Sequence, residues 1–296
     1  PAPKYDSPDM YNFFLKLGPL SNANEKYLKG KLPFWNAMLK HGSYDEFWKS
    51  RSNLPYFKKV KPAVLLVGGW YDSEDLYGPL NIYKSIEEKN SKNQTHLVMG
   101  PWYHGGWSRS DGSSFGDFKF GENTSEYYNK NILLPFFNYY LKEIGQFNLS
   151  EAVTFRTGSN IWVNYDKWPP MNAEKKSIYL SPNNKLSWDK PIEKEYLFDE
   201  YLSDPNKPVP YSGKFHDSGL HYFRTYMSED QRFASARPDV LVYETEPLEK
   251  DITVAGPILA DLFVSTTGTD ADWVVKVIDV YPDGAIDPDP NSNNIE

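Results

Sequence analysis

The stretch Pro62-Ala63-Val64-Leu65-Leu66-Val67-Gly68-Gly69-Trp70-Tyr71-Asp72-Ser73-Glu74-Asp75 decides the fold. Its apolar run, Ala63 to Val67, is too short for a helix and is ended by Gly68-Gly69. Such a run predicts a strand buried on both faces of a parallel sheet. Three acids, Asp72, Glu74 and Asp75, then arrive within four positions. Like charges this close repel one another, and they lose solvation if buried. Their place at the end of a core strand therefore asks for an explanation.

Downstream, Pro79 opens a helix through Leu80, Tyr83 and Ile86 that ends in the polar stretch from Glu87 to Gln94. Thr95-His96-Leu97-Val98-Met99 reads as a second short strand, followed by Gly100-Pro101. The three segments form a strand–helix–strand unit with a right-handed crossover. Both strands then deliver their C-terminal ends to one sheet edge, about 4.8 Å apart. Asp72 follows the first strand and His104 the second, so a carboxylate and an imidazole can pair where ligands commonly bind. Such an Asp holds the His tautomer and leaves the other ring nitrogen to act as a base. The plainer alternative is an incidental pairing of two loop residues. Likewise, Glu74 and Asp75 can simply begin a helix whose dipole favours acids.

A nucleophile is harder to find. Gly112-Ser113-Ser114-Phe115-Gly116 spells G-x-S-x-G, but a polar loop, Trp107 to Asp111, precedes it and the serine follows the His. A nucleophile elbow needs an apolar strand before the serine and a helix after it, which argues against Ser114 in the role. There are no cysteines, so thiol catalysis, Cys-ligated zinc and disulfides are excluded. His41, His96, His216 and His221 form no i, i+4 ligand pair. The C-terminal DPDPNSNN lacks the spacing and terminal Glu of a calcium loop. No glycine loop cradles phosphate at a strand–helix junction. Neither cofactor nor metal is expected.

The 296 residues carry a net charge of −8, and the pI is about 5.3. No basic stripe offsets that acidity, so a nucleic-acid partner is not expected. No apolar run approaches the roughly 20 residues of a membrane span. Aromatics reach 16 %, which suits β-rich architecture or large flat pockets. Residues 9 to 57 read as short helices around Met10–Leu17, Leu32–Leu39 and Tyr44–Trp48, and Ile132–Leu141 as another. From about 151 the pattern becomes all-β. Val153–Arg156, Ile161–Val163 and Ser177–Leu180, then Val240–Tyr243, Leu259–Val264 and Trp273–Val280, suggest a sandwich or jelly roll. Asp199 to Pro210 reads as a Pro-rich loop. The terminal PAPKYDSPDM is neither a signal peptide nor a usual start, and the sheet domain is expected to stop short in PDGAIDPDPNSNNIE.

GGWYDSED, GPWYHGGW, PFFNYYLK, TGSNIWVNYDKWPP and DLFVSTTGTDADWVVKVIDVYPDG together resemble the cocaine-esterase/X-prolyl-peptidase group of serine hydrolases. More narrowly, they resemble the α-amino acid ester hydrolases, or β-lactam antibiotic acylases. The resemblance implies an α/β class joined to an all-β domain: an α/β-hydrolase domain with an inserted helical cap, followed by a jelly roll. Residues 1–58 would be the end of the cap, 59–150 the C-terminal part of the hydrolase domain, and 151–296 an incomplete jelly roll. Asp72 matches the triad acid and His104 the triad base. Glu74 and Asp75 match two members of the carboxylate cluster that receives the substrate's α-ammonium group. The serine, the oxyanion tyrosine and a third carboxylate would lie outside this chain, making it a fragment that is inactive alone. The expected partners are a small ester or amide with an α-amino group and the missing N-terminal part of the same protein. A homo-oligomer stays open, and because relatives are often exported a periplasmic or secreted location is expected. The alternatives are a cocaine-esterase-like or glutaryl-type acylase, an X-prolyl dipeptidyl peptidase, or a non-catalytic jelly-roll binding module.

Overall fold

A computed structural model describes residues 10–90, 92–192, 198–213, 225–282 and 284–285. The chain divides into two compact units, Pro1–Asn164 with Asp204–Glu229, and Tyr165–Ser203 with Asp230–Glu296. His216, His221, the terminal DPDPNSNN and residues 1–9 lie outside the described residues.

The first unit begins with short helices: α1 (Met10–Leu17), a π-helical turn (Asn24–Leu28), α2 (Pro33–Lys40) and α3 (Glu46–Lys49). Each has a sequence cause. Gly18 stops α1, Pro33 sits in the first turn of α2, and the Asp45 carboxylate caps α3 by accepting from Phe47 N at 2.9 Å. Then come β1 (Val64–Gly69), α4 (Tyr77–Lys89) and β2 (Thr95–Gly100). The two strands pair in parallel, from Val64 opposite Thr95 to Gly69 opposite Gly100. The expected strand–helix–strand unit is present, with α4 beginning before Pro79, at Tyr77. Tyr83 and Ile86 bury against the sheet side, and the Tyr83 hydroxyl donates to the Glu151 carboxylate.

Next follow α5 (Gly106–Arg109), the strands β3 (Ser114–Phe115) and β4 (Phe118–Lys119), and α6 (Thr124–Tyr128). A π-helical turn (Asn129–Leu133) leads into α7 (Leu134–Lys142). β5 (Ala152–Arg156) and β6 (Ile161–Tyr165) complete a four-stranded sheet in the order β1-β2-β5-β6. β5 runs parallel to β2 and pairs Val98 with Val153. One expectation is corrected here. Val64 to Val67 are half-buried rather than buried on both faces, because β1 ends the strand order among the described residues. The sheet runs on past residue 150, where β5 and β6 extend the β1–β2 pair because β2 offers β5 its second edge.

The core sits on the inner strands. Leu97, Val98, Met99, Ala152, Val153 and Phe155 are buried, and Val98 and Val153 pack with Trp102, Tyr128 and Ile132. Burying these side chains supplies the main stabilisation of the unit.

In the second unit, β7 (Tyr179–Ser181) and β8 (Lys185–Ser187) form a hairpin through Asn183 and Asn184, and α8 (Arg232–Ser235) follows. Glu244 bridges to Lys185 beside this hairpin. The strands expected at Leu259–Val264 and Trp273–Val280 form no ladder among the described residues, and Phe263, Val274 and Val277 are exposed. Alternating apolar residues specify which side chains want burial, but a ladder also needs a neighbouring backbone to pair with.

A Cβ on Gly69 would stand 2.0 Å from the Trp102 carbonyl oxygen, while one on Gly42 would meet nothing within 4 Å. Gly69→Ala is therefore expected to lower unfolding stability by at least about 2 kcal/mol and Gly42→Ala to change it little, as read by urea denaturation. Burial also pushes the Tyr128 phenol up to about 12. The folded chain keeps this proton while the unfolded chain releases it near pH 10, so stability falls as pH rises through that window. Tyr128→Phe is expected to show a shallower decline between pH 10 and 12, by about 2 kcal/mol in total. Equal slopes in the two proteins would show that the phenol is not desolvated.

Candidate active site

β1 and β2 keep pairing after the sheet ends. Trp70 N donates to Gly100 O at 2.9 Å, and Tyr71 N donates to Trp102 O at 3.1 Å. These bonds lock the loop that carries Asp72 to the loop that carries His104. Only a glycine at 69 lets the two backbones come this close.

Both loops are anchored by aromatics. The Trp70 indole N–H donates to Phe155 O at 2.9 Å, tying the acid loop to β5. The Tyr71 ring stacks on Phe115 with centroids 4.4 Å apart, and Phe118 and Phe120 lie beside it. Trp102 is 1 % exposed and donates to the Thr124 hydroxyl at 2.8 Å, which in turn donates to Gly112 O at 2.7 Å. Beyond His104 the chain turns through Gly105 at φ 72°, a left-handed conformation that favours glycine, and enters α5.

Asp72 and His104 meet in the structure. The Asp72 side chain is 2 % exposed and His104 is 41 % exposed. His104 Nδ1 lies 3.1 Å from Asp72 Oδ2 and 3.2 Å from Oδ1. Because a carboxylate only accepts, Nδ1 carries the proton and the Nε2 lone pair is left for chemistry. Asp72 Oδ1 also accepts from Glu74 N at 2.8 Å and Asp75 N at 2.9 Å. The acid thus shapes its own turn while it orients the imidazole.

The other two acids separate. Glu74 is exposed, with Oε2 3.9 Å from His104 Nε2. Asp75 is also exposed, and its Oδ1 accepts from Gly78 N at 2.9 Å at the start of α4. Asp75 Oδ1 therefore serves as a helix-start acceptor. Ser114 lies in β3 of a short hairpin with no helix after it, as the sequence context requires.

The remaining described histidines have local partners. His41 Nδ1 contacts Asp45 Oδ2 at 2.7 Å and stacks on Phe47, and its hydrogen bond holds the Asp45 carboxyl below its ordinary range. His96 Nδ1 contacts Ser150 O at 3.2 Å. Among the described residues no three or more His, Asp or Glu side chains gather as they would for a metal, and no helix is long and apolar enough to cross a membrane. The sequence reading missed Trp70, Tyr71 and Trp102 as supports. Their signal was present as aromatics just after both strand-end glycines.

Residues 2–106 match the X-Pro dipeptidyl-peptidase (S15 family), a segment that contains Asp72 and His104. Residues 142–291, half of the chain, match the X-Pro dipeptidyl-peptidase C-terminal non-catalytic domain. Cocaine esterase from Rhodococcus sp. (strain MB1 Bresler) is 28 % identical over 280 residues, covering 88 % of this chain and 46 % of the esterase. A solved α-amino acid ester hydrolase is 30 % identical with a TM-score of 0.80, covering 86 % of this chain and 43 % of that one. An aminopeptidase from a marine sediment Thaumarchaeota archaeon is 33 % identical with a TM-score of 0.75, covering 83 % and 40 %. The chain thus spans less than half the length of these relatives. They show an α/β-hydrolase-type fold with a C-terminal β domain.

Asp72→Ala is expected to destabilise the chain by about 1–3 kcal/mol, because the Glu74 and Asp75 amides lose their acceptor. Asp72→Asn keeps a carbonyl oxygen for them and is expected to cost far less. Thermal melts of the two variants measure the difference, and equal losses would contradict the double role of this side chain.

Proposed function

The chain belongs to the X-Pro dipeptidyl-peptidase family, and we propose that it supplies the acid and base of a serine hydrolase acting on esters or amides of α-amino acids. The observation that carries this reading is the buried Asp72 on His104 Nδ1, with the half-exposed ring's other nitrogen beside Glu74. The nucleophilic serine lies outside this chain in this reading.

The chemistry follows from the geometry. His104 Nε2 takes the proton of the serine hydroxyl as its oxygen attacks the acyl carbon. Asp72 stabilises the imidazolium so formed and holds the ring in place. His104 then gives the proton to the departing alcohol or amine, leaving an acyl-enzyme. Water, activated by the same His104, hydrolyses it. The amine of a β-lactam nucleus can take the acyl group instead. Glu74 receives the substrate's α-ammonium, while Asp75 adds negative potential from the same loop with one oxygen held on Gly78 N.

An esterase without amine selectivity is the second reading, favoured by the similarity to cocaine esterase. Glu74 beside the reactive nitrogen favours the amine-selective one. A free α-ammonium is common to α-amino esters and to peptides with a free N-terminus, so an aminopeptidase-like substrate fits the same site.

In the full-length protein, Asp72→Asn is expected to lower kcat by about 10⁴, because an amide no longer enforces the productive tautomer. Steady-state assays with an α-amino ester measure this, and a loss below ten-fold would remove Asp72 from the triad. The 296-residue chain alone is expected to show negligible ester turnover. Robust turnover abolished by Ser114→Ala would place the nucleophile inside this chain and overturn the assignment.

A further inference from the structure

We propose that Glu74 gates His104: in the empty site it occupies the side of Nε2 that the serine hydroxyl must reach, and a substrate ammonium draws it away. The proposal rests on the amine-binding reading above and extends it. Substrate charge would then be a condition for catalysis as well as an aid to binding.

The imidazole lies between two carboxylates, Asp72 against Nδ1 at 3.1 Å and Glu74 toward Nε2 at 3.9 Å. With Nδ1–H directed at Asp72, a neutral ring presents its Nε2 lone pair to a second negative group. That contact is attractive only when Nε2 also bears a proton, the form in which it cannot accept one from serine. The other charged groups around the ring do not supply this restraint. Asp75 directs Oδ1 to Gly78 N, and Arg109 of α5 packs over Gly105, its Nε 3.1 Å from where a Cβ would stand.

The two carboxylates differ in freedom. Asp72 is held by two backbone amides and is almost fully buried. The Glu74 side chain is 69 % exposed, and among the described residues its carboxylate makes one charged contact, with His104. A group so placed can turn between the Nε2 edge of the ring and an incoming ammonium. An ammonium that pairs with Glu74 leaves Nε2 unopposed at the moment the substrate's acyl carbon arrives. An ester without the amine gives Glu74 no reason to move, so the enzyme discriminates against it by restraint of its own base.

The test compares α-amino and des-amino esters of the same acyl skeleton in the full-length enzyme. Glu74→Gln is expected to lower kcat/KM for the amino ester and to raise it about two- to five-fold for the des-amino ester, the size that an exposed ion pair supports. Added ethylammonium chloride, against potassium chloride at equal ionic strength, is expected to accelerate des-amino ester hydrolysis in the wild type but not in Glu74→Gln. A fall for the amino ester with no gain for the des-amino ester would overturn the gate and leave amine binding standing. An unchanged amino ester would overturn both. Ethylammonium acceleration of equal size in wild type and variant would also overturn the gate.

Discussion

The site depends on one close approach, the backbone of Gly69 against the carbonyl of Trp102. A parallel ladder ordinarily ends with its strands, and the loops beyond are free to diverge. Here the ladder runs on through Trp70 N to Gly100 O and Tyr71 N to Trp102 O. Asp72 and His104 are thus separated by little more than two backbone hydrogen bonds, although they stand 32 positions apart in the chain. Their geometry follows from sheet register, and register is fixed by the buried Leu97, Val98 and Met99 of the inner strand.

The same constraint sorts the three acids. Asp72 is pulled into the crease between the loops, where two amides and an imidazole N–H replace the water it gives up. Its turn then sends the Glu74 and Asp75 side chains outward. Repulsion is limited because only one of the three carboxylates is buried: Asp72 meets His104 Nδ1, Asp75 accepts from Gly78 N, and Glu74 is exposed.

Much of this was legible in the sequence, and the reasons are local. Unbroken apolar runs ended by glycines mark β1 and β2, and parallel strands joined by a helix must place Asp72 and His104 at one edge. The contact of Asp75 with Gly78 N was not legible, because helix-start acceptors and ammonium-binding carboxylates use the same residue type at the same place. The partner of β5 was not legible either. Val153 and Phe155 announce a buried strand, but nothing in a strand's own side chains says which neighbour it will join. In the second unit the apolar segments near Phe263 and Val274 were read as strands, yet their ladders depend on backbone that a side-chain pattern does not describe.

The place of β5 bears on how the two family segments divide the work. By sequence, residues 142–291 match a domain described as non-catalytic, whereas by contacts the chain belongs to the first unit through Asn164. β5 lies in the overlap. Val153 packs against Val98 and Trp102, and Phe155 O accepts the indole N–H of Trp70, two residues before Asp72. A strand counted with the non-catalytic domain therefore braces the loop that carries Asp72. This coupling gives a physical reason for the two segments to be found together. Without β5, β2 would lose its second neighbour, and Trp70 would lose the acceptor that holds the acid loop to the sheet.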